Sequence, residues 1–230
     1  MMRVDGLLFD KDGTLFDFGA TWNGWAAQMI ARFAAGDTAL AGRIAQALEY
    51  DLQAQAFLPE SFVIAGTNRE AAEAVAGVLP QGDVDQIETD LMLAAAEAPL
   101  SPAVPLGPLM DGFLSHGLQL GVMTNDTEYG ARAHLREAGV EDRFGFIAGF
   151  DSGFGAKPDP APLLAFADHA ALSPGRVAMV GDSTHDLIAG RRAGMQTVAV
   201  LTGVAGTEEL APLADVVLTN IGHLPDWVSS

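Results

Sequence analysis

Asp10 and Asp12 stand two residues apart, directly after the apolar run Gly6-Leu7-Leu8-Phe9, and Gly13 and Thr14 follow them. A second carboxylate pair, Asp182 and Asp186, follows the run Val177-Ala178-Met179-Val180. Between the two pairs come Thr124 and Asn125, at the end of Leu118 to Met123, and Lys157, in front of Pro158. A carboxylate can attack phosphorus and form an acyl phosphate. Carboxylates gathered closely repel one another unless a cation sits between them, and Mg²⁺ accepts one or two of them together with substrate oxygens. A threonine hydroxyl and an asparagine amide can donate to phosphate oxygens. A lysine ammonium can meet negative charge as it develops. Gly13 and Gly181 permit close backbone approach, so that N–H groups can face an anion. Together these residue types make a phosphoryl-transfer site.

Such a site needs elements that bring distant segments to one edge. Six short apolar runs read as buried parallel strands: Gly6 to Phe9, Leu118 to Met123, Phe144 to Phe150, Val177 to Val180, Thr197 to Val200 and Val216 to Leu218. Helical patterns over Leu106 to His116, Glu128 to Ala138, Pro160 to His169 and Asp186 to Ala193 alternate with them, and Gly117, Gly139 and Gly194 fall where helix C-terminal glycines belong. The alternation predicts an α/β fold with a doubly wound parallel sheet. In such sheets ligands bind beyond the carboxyl ends of the strands, where all the polar segments above are placed. Residues 19–98 break the pattern. They read as four helices without a strand, over Thr21 to Ala35, Thr38 to Gln53, Asn68 to Leu79 and Val84 to Ala96. The expected organisation is a core of residues 1–18 and 99–230 with an all-helical cap, residues 19–98, inserted after the first strand.

Phe9-Asp10-Lys11-Asp12-Gly13-Thr14-Leu15, Met123-Thr124-Asn125, Ala156-Lys157-Pro158 and Val180-Gly181-Asp182-Ser183-Thr184-His185-Asp186 occur in one order and at one spacing. In these segments the chain resembles the haloacid dehalogenase-like hydrolase superfamily, and within it the phosphoglycolate-phosphatase-like branch with a helical cap. The resemblance implies a Rossmann-like core with Asp10 as nucleophile. It implies that Asp12 protonates the leaving oxygen and later activates water. Mg²⁺ would be held by the Asp10 carboxylate, the Asp12 backbone carbonyl and the Asp182 carboxylate, with Asp186 orienting metal-bound water or binding the metal itself. Thr124, Asn125 and Lys157 would cradle the phosphate. Dehalogenating members lack a carboxylate at the position of Asp12, so the resemblance is to the phosphotransferases. Phosphoglycolate leads among substrates on this ground alone, with sugar phosphates and nucleoside monophosphates open. A mutase of the β-phosphoglucomutase type shares the motifs. A phosphorylated signalling receiver carries its acceptor on the third strand of a shorter chain, and a scaffold that has lost catalysis would not keep every motif residue.

Composition narrows the partners. The 230 residues carry 12 Lys and Arg against 30 Asp and Glu, a net charge of −18, which repels nucleic acid; the resemblance implies a small phosphorylated metabolite as the partner. Without cysteine there is no disulfide, thiolate nucleophile or zinc-thiolate site. No apolar run approaches the ~20 residues that cross a bilayer. The start of the chain lacks the apolar stretch of a signal peptide, so a cytoplasmic monomer or homodimer is expected. The Asp-x-Asp start is not a calcium loop, because position twelve is Thr21 instead of Glu. Lys11 reads either as a solvent-facing or acid-paired lysine or as a cap-facing cation for a carboxylated substrate. His185, between Asp182 and Asp186, is a candidate ligand or base. His116, His134, His169 and His223 read as structural or surface residues. Trp22 and Trp25 read as pocket or seam residues, with core packing the favoured role for at least one of them, and Thr67, Asn68 and Arg69 as candidates for substrate selection.

Overall fold

The first apolar run forms strand β1 (Gly6–Phe9), with all four residues buried. In this computed structural model, which describes residues 2–230, the chain continues through α1 (Phe18–Ala34), α2 (Thr38–Ala47), β2 (Tyr50–Asp51), β3 (Ala56–Phe57), α3 (Asn68–Val78) and α4 (Val84–Ala95). It then runs through α5 (Leu106–Ser115), β4 (Gln119–Met123), α6 (Glu128–Glu137), β5 (Phe146–Ala148), α7 (Ala161–His169) and β6 (Val177–Gly181). Last come α8 (Thr184–Ala193), β7 (Gln196–Val200), α9 (Thr207–Leu210), β8 (Val216–Leu218) and α10 (Leu224–Ser229).

Six strands form one parallel sheet in the order β5-β4-β1-β6-β7-β8. Side chains alternate across it, as a strand period of two requires. Leu7, Phe9, Val122 and Val180 join Met110, Phe113, Leu135 and Trp227 from α5, α6 and α10 on one face. Leu8, Met123 and Met179 join Leu163, Phe166, Ala189 and Ala193 from α7 and α8 on the other. Helices therefore cover both faces, which is the doubly wound arrangement read from the sequence. The order reverses at β1: the chain builds outward through β4 and β5 on one side and through β6, β7 and β8 on the other. Phe9 is level with Val122 of β4 and with Val180 of β6. The carboxyl ends of these three strands therefore share one edge, at the place where such sheets bind ligands.

Helices α1 to α4 gather around a cluster of their own, with Ala26, Ile30, Ile44, Ala72, Val75, Ile87 and Leu91 at its centre. Their starts are fixed locally. Asp37 accepts from the Ala39 and Leu40 amides, Asp83 from Asp85 and Gln86, and Thr67 forms a capping box with Glu70. One expectation fails here. The second helix, read from Thr38 to Gln53, ends at Ala47, and Tyr50-Asp51 pairs antiparallel with Ala56-Phe57. The Tyr50 ring packs on Phe57 with centroids 5.2 Å apart, and its hydroxyl donates to the Asn23 carbonyl at 2.8 Å. Asp51 accepts from the Gln53 and Ala54 amides and closes the turn. These contacts outweigh the helical pattern. Similarly, the run Phe144 to Phe150 pairs only over Phe146–Ala148. Among the described residues, no helix is long and apolar enough to cross a membrane.

Candidate active site

Asp10 leaves β1 with its amide donating to the Val180 carbonyl at 2.8 Å, which carries the parallel pairing one residue past the strand. Asp182 follows β6, and Asp186 lies in the first turn of α8. Carboxylate oxygens of Asp10, Asp182 and Asp186 all lie within 4.8 Å of one another, and the three residues are buried. Lys157 Nζ bridges two of them, 2.6 Å from Asp10 Oδ1 and 2.6 Å from Asp186 Oδ1. The second oxygen of Asp186 accepts from the Ser183 amide at 3.0 Å and hydroxyl at 2.7 Å, in a capping box. Asp186 thus serves the helix terminus and the cluster at once. Thr14 Oγ1 donates to Asp182 Oδ1 at 3.1 Å. Gly13 and Gly181 turn out to be required by these carboxylates. Gly13 has φ +80° and a side chain there would run into Asp182, while one at Gly181 would run into Asp186.

The electrostatics follow from this crowding. Burial pushes the Asp10 carboxyl up to about 7, with the Lys157 ammonium opposing the rise and the Asp186 and Asp12 charges adding to it. Burial, then the charges of Asp10 and Asp186, push Asp182 well above the usual carboxylate range. Burial acts to lower the pKa of Lys157, but the two carboxylates on it outweigh that and the net shift is upward. Three buried carboxylates against one ammonium leave excess negative charge in a low dielectric. An all-oxygen donor set with that charge fits a hard divalent cation such as Mg²⁺.

The Asp12 carboxylate is not part of this cluster. It is turned to Lys11, whose Nζ lies 2.9 and 2.8 Å from its two oxygens. Lys11 is fully buried. It also touches Asp126 at 3.1 Å and His134 Nδ1 at 3.0 Å, and lies over the Trp22 ring at 5.2 Å. His134 Nε2 meets the Ala95 carbonyl, at the end of α4, at 2.7 Å. Lys11 is thus acid-paired, and the alternative of a cap-facing cation for substrate fails because its charge is already spent on two carboxylates. His134 is buried and bridges α4 to the Asp10–Thr14 turn. Nothing in its local sequence marks it, because its partners are 123 and 39 residues away.

Thr124 and Asn125 emerge buried at the end of β4. The Asn125 amide differs from the expected phosphate donor. Its Nδ2 donates to the Ala65 carbonyl at 2.8 Å and to the Lys157 carbonyl at 2.9 Å, and its Oδ1 accepts from the Lys157 amide at 2.9 Å. Both N–H bonds are committed, so in this arrangement the side chain holds the Lys157 loop and the segment before α3.

One cavity joins these parts. Asp10, Asp12, Thr124, Asn125, Lys157, Asp182 and His185 line it from below. Phe18, Trp22, Trp25, Phe57, Val63, Ile64, Ala71 and Ala95 close it from above, with Gly66, Thr67 and Asn68 at the start of α3. Both tryptophans and two of the three candidate selection residues are therefore at the cavity. Arg69 is not: it points to Asp85 and Glu88 at 2.6 and 2.7 Å. His116, His169 and His223 lie away from it, as expected.

Among curated proteins, the chain is similar to phosphoglycolate phosphatases. It is 33% identical over 155 residues to that of Rhodospirillum rubrum and 36% identical over 104 residues to that of Xanthomonas campestris pv. campestris. The matches cover 64% and 44% of this chain, and only 64% and 47% of the lengths of those relatives. Among solved structures, CbbY from Rhodobacter sphaeroides in complex with phosphate superposes with a TM-score of 0.71, at 20% identity and 96% coverage of both chains. L-2-haloacid dehalogenase from Xanthobacter autotrophicus superposes with a TM-score of 0.65, at 20% identity and 99% coverage of both. At these identities the structures speak for the fold alone. The family model for haloacid dehalogenase-like hydrolase matches residues 4–194, a stretch that includes every motif segment around the cavity, and the chain belongs to that family.

Proposed function

We propose that this chain hydrolyses a small phosphomonoester through a phosphorylated Asp10. The observation that carries this reading is the placement of Asp10, with Lys157 on one of its oxygens, at the floor of a cavity that Asp12 also lines. In the first step an Asp10 oxygen bonds to phosphorus as the bond to the leaving oxygen breaks, and Asp12 gives that oxygen a proton. In the second, Asp12 takes a proton from water, whose oxygen bonds to phosphorus and releases Asp10 with inorganic phosphate. Thr124 and Lys157 hold the phosphoryl oxygens. Mg²⁺, held by the carboxylates of Asp10 and Asp182 with Asp186 and the Asp12 carbonyl, would neutralise charge on those oxygens. Residues 19–98 serve as the cap that excludes bulk water, over a core of residues 1–18 and 99–230.

Phosphoglycolate, named for the relatives, is the first compound for a panel of phosphomonoesters assayed for phosphate release with Mg²⁺. Release that EDTA abolishes is the expected result, and a panel without release would contradict the proposal. Hydrolysis is preferred over the mutase reading because, among the described residues, Lys157 is the one Lys or Arg at the cavity. A second phosphate, which a sugar-phosphate mutase has to hold, finds no second Lys or Arg there.

Lys11 carries a prediction of its own. Lys11→Met leaves Asp126 and Asp12 facing each other without their shared cation, and breaking a buried pair costs on the order of 3–5 kcal/mol. Denaturant unfolding measures that loss. In protein that remains folded, kcat should fall at least ~10-fold with KM little changed, because Asp12 is no longer held. A loss confined to KM would show that Lys11 binds substrate after all.

A further inference from the structure

The cap side of the cavity has a definite chemistry. Phe18, Trp22, Trp25, Phe57, Ile64 and Ala95 present rings and alkyl groups toward the space above Asp10 and Asp12. Trp22 and Trp25 meet edge to face with centroids 5.1 Å apart, and Phe18 and Phe57 do so at 6.0 Å. The cap residues 19–98 contain three cations, Arg32, Arg43 and Arg69, and none of them lines the cavity. Arg32 is paired with Asp90, Arg69 with Asp85 and Glu88, and Arg43 is exposed. Lys157 is occupied by Asp10 and Asp186, where the phosphoryl group belongs.

Beside His185 on the core wall and the N-terminus of α8, whose Ser183 amide is taken by Asp186, the remaining positive pole is the N-terminus of α3 at Gly66, Thr67 and Asn68. It already has its anion. Glu70 Oε2 accepts from the Thr67 amide at 2.7 Å and from the Thr67 hydroxyl at 3.0 Å. A second carboxylate there would meet a carboxylate instead of a free helix dipole. An anionic leaving group against the cap wall would therefore be buried among aromatic and aliphatic side chains with no cap cation beside it, which is unfavourable. A neutral one would bury apolar surface favourably. Trp25 Nε1 is buried without a hydrogen-bond partner, and a neutral acceptor on the leaving group suits such a donor.

We infer that the leaving group accommodated by this chain is small, uncharged and largely apolar, so that the substrate is a phosphomonoester of a neutral alcohol and not of a hydroxy acid. This rests on the phosphomonoesterase reading above and narrows it. It also separates this chain from the substrate named for its relatives.

The test compares three compounds of similar size on the full chain with Mg²⁺: 2-phosphoglycolate, its neutral isostere 2-phosphoglycolamide, and propyl phosphate. The two neutral esters should exceed 2-phosphoglycolate in kcat/KM by at least ~30-fold, mostly through KM. Equal or better turnover of 2-phosphoglycolate would overturn the inference and leave hydrolysis intact. If none of the three releases phosphate, p-nitrophenyl phosphate reports whether hydrolysis itself has failed. The pocket is then decided by titrating the Mg²⁺-loaded protein with propylphosphonate and with phosphonoacetate. Tighter binding of propylphosphonate supports the inference, and equal or tighter binding of phosphonoacetate overturns it.

Discussion

Asp10→Asn is expected to lower kcat at least ~10⁴-fold while leaving the fold intact. The amide has the size of the carboxylate and can still accept from Lys157 Nζ, which sits 2.6 Å from Asp10 Oδ1. What it lacks is the charged oxygen that bonds to phosphorus. The substitution also takes one negative charge from a buried cluster of three. The melting temperature of the metal-free variant should therefore match or exceed that of the parent. Loss of activity together with loss of the fold would leave Asp10 as a structural residue. Activity within tenfold of the parent would place the nucleophile elsewhere.

Removing the metal should expose the strain that the three carboxylates impose, and Asp182→Asn should relieve it. The folded-state pKa of Asp10 is about 7, far above its ordinary value of 3.8, and Asp182 is raised in the same direction. Between the ordinary and the raised values the folded protein binds more protons than the unfolded chain. Stability therefore falls as pH rises through that window. In EDTA, the parent should melt at a markedly lower temperature at pH 8 than at pH 5, and Mg²⁺ should restore most of the loss at pH 8. In Asp182→Asn the Thr14 hydroxyl keeps an acceptor, one charge is gone and a ligand is missing. The variant should lose much of the pH dependence and most of the response to Mg²⁺. A pH profile like that of the parent, or full stabilisation by Mg²⁺, would contradict the placement of the cation among these carboxylates.

The sheet and its edge were legible because both are local signals. Each central strand is a continuous apolar run, and each site residue follows such a run directly, so Asp10, Thr124 and Asp182 could be placed before any contact was known. The roles that depend on distant partners could not. Asn125 has the donor chemistry expected of a phosphate contact, yet its amide is committed to Ala65 and Lys157. Lys11 reads as a solvent-facing or acid-paired lysine or as a substrate cation, and only the packing of α6 and the turn before it against the Asp10–Thr14 turn gives it Asp126 and His134. The β2–β3 hairpin has strands of two residues each, too short to break a helical pattern in the sequence. The cap wall was half legible. Trp22 and Trp25 are three residues apart and so share a helix face, whereas the absence of any cation there depends on where Arg32 and Arg69 find their acidic partners.

The measurement that tests the central claim most directly is the stereochemical course at phosphorus. A phosphomonoester analogue made chiral at phosphorus with sulfur and oxygen isotopes is hydrolysed in isotopically labelled water with Mg²⁺, and the configuration of the released thiophosphate is read by nuclear magnetic resonance. Two in-line displacements, the first by Asp10 and the second by water, predict net retention of configuration. Net inversion would mean that water attacks the ester directly, and Asp10 would then not be the nucleophile.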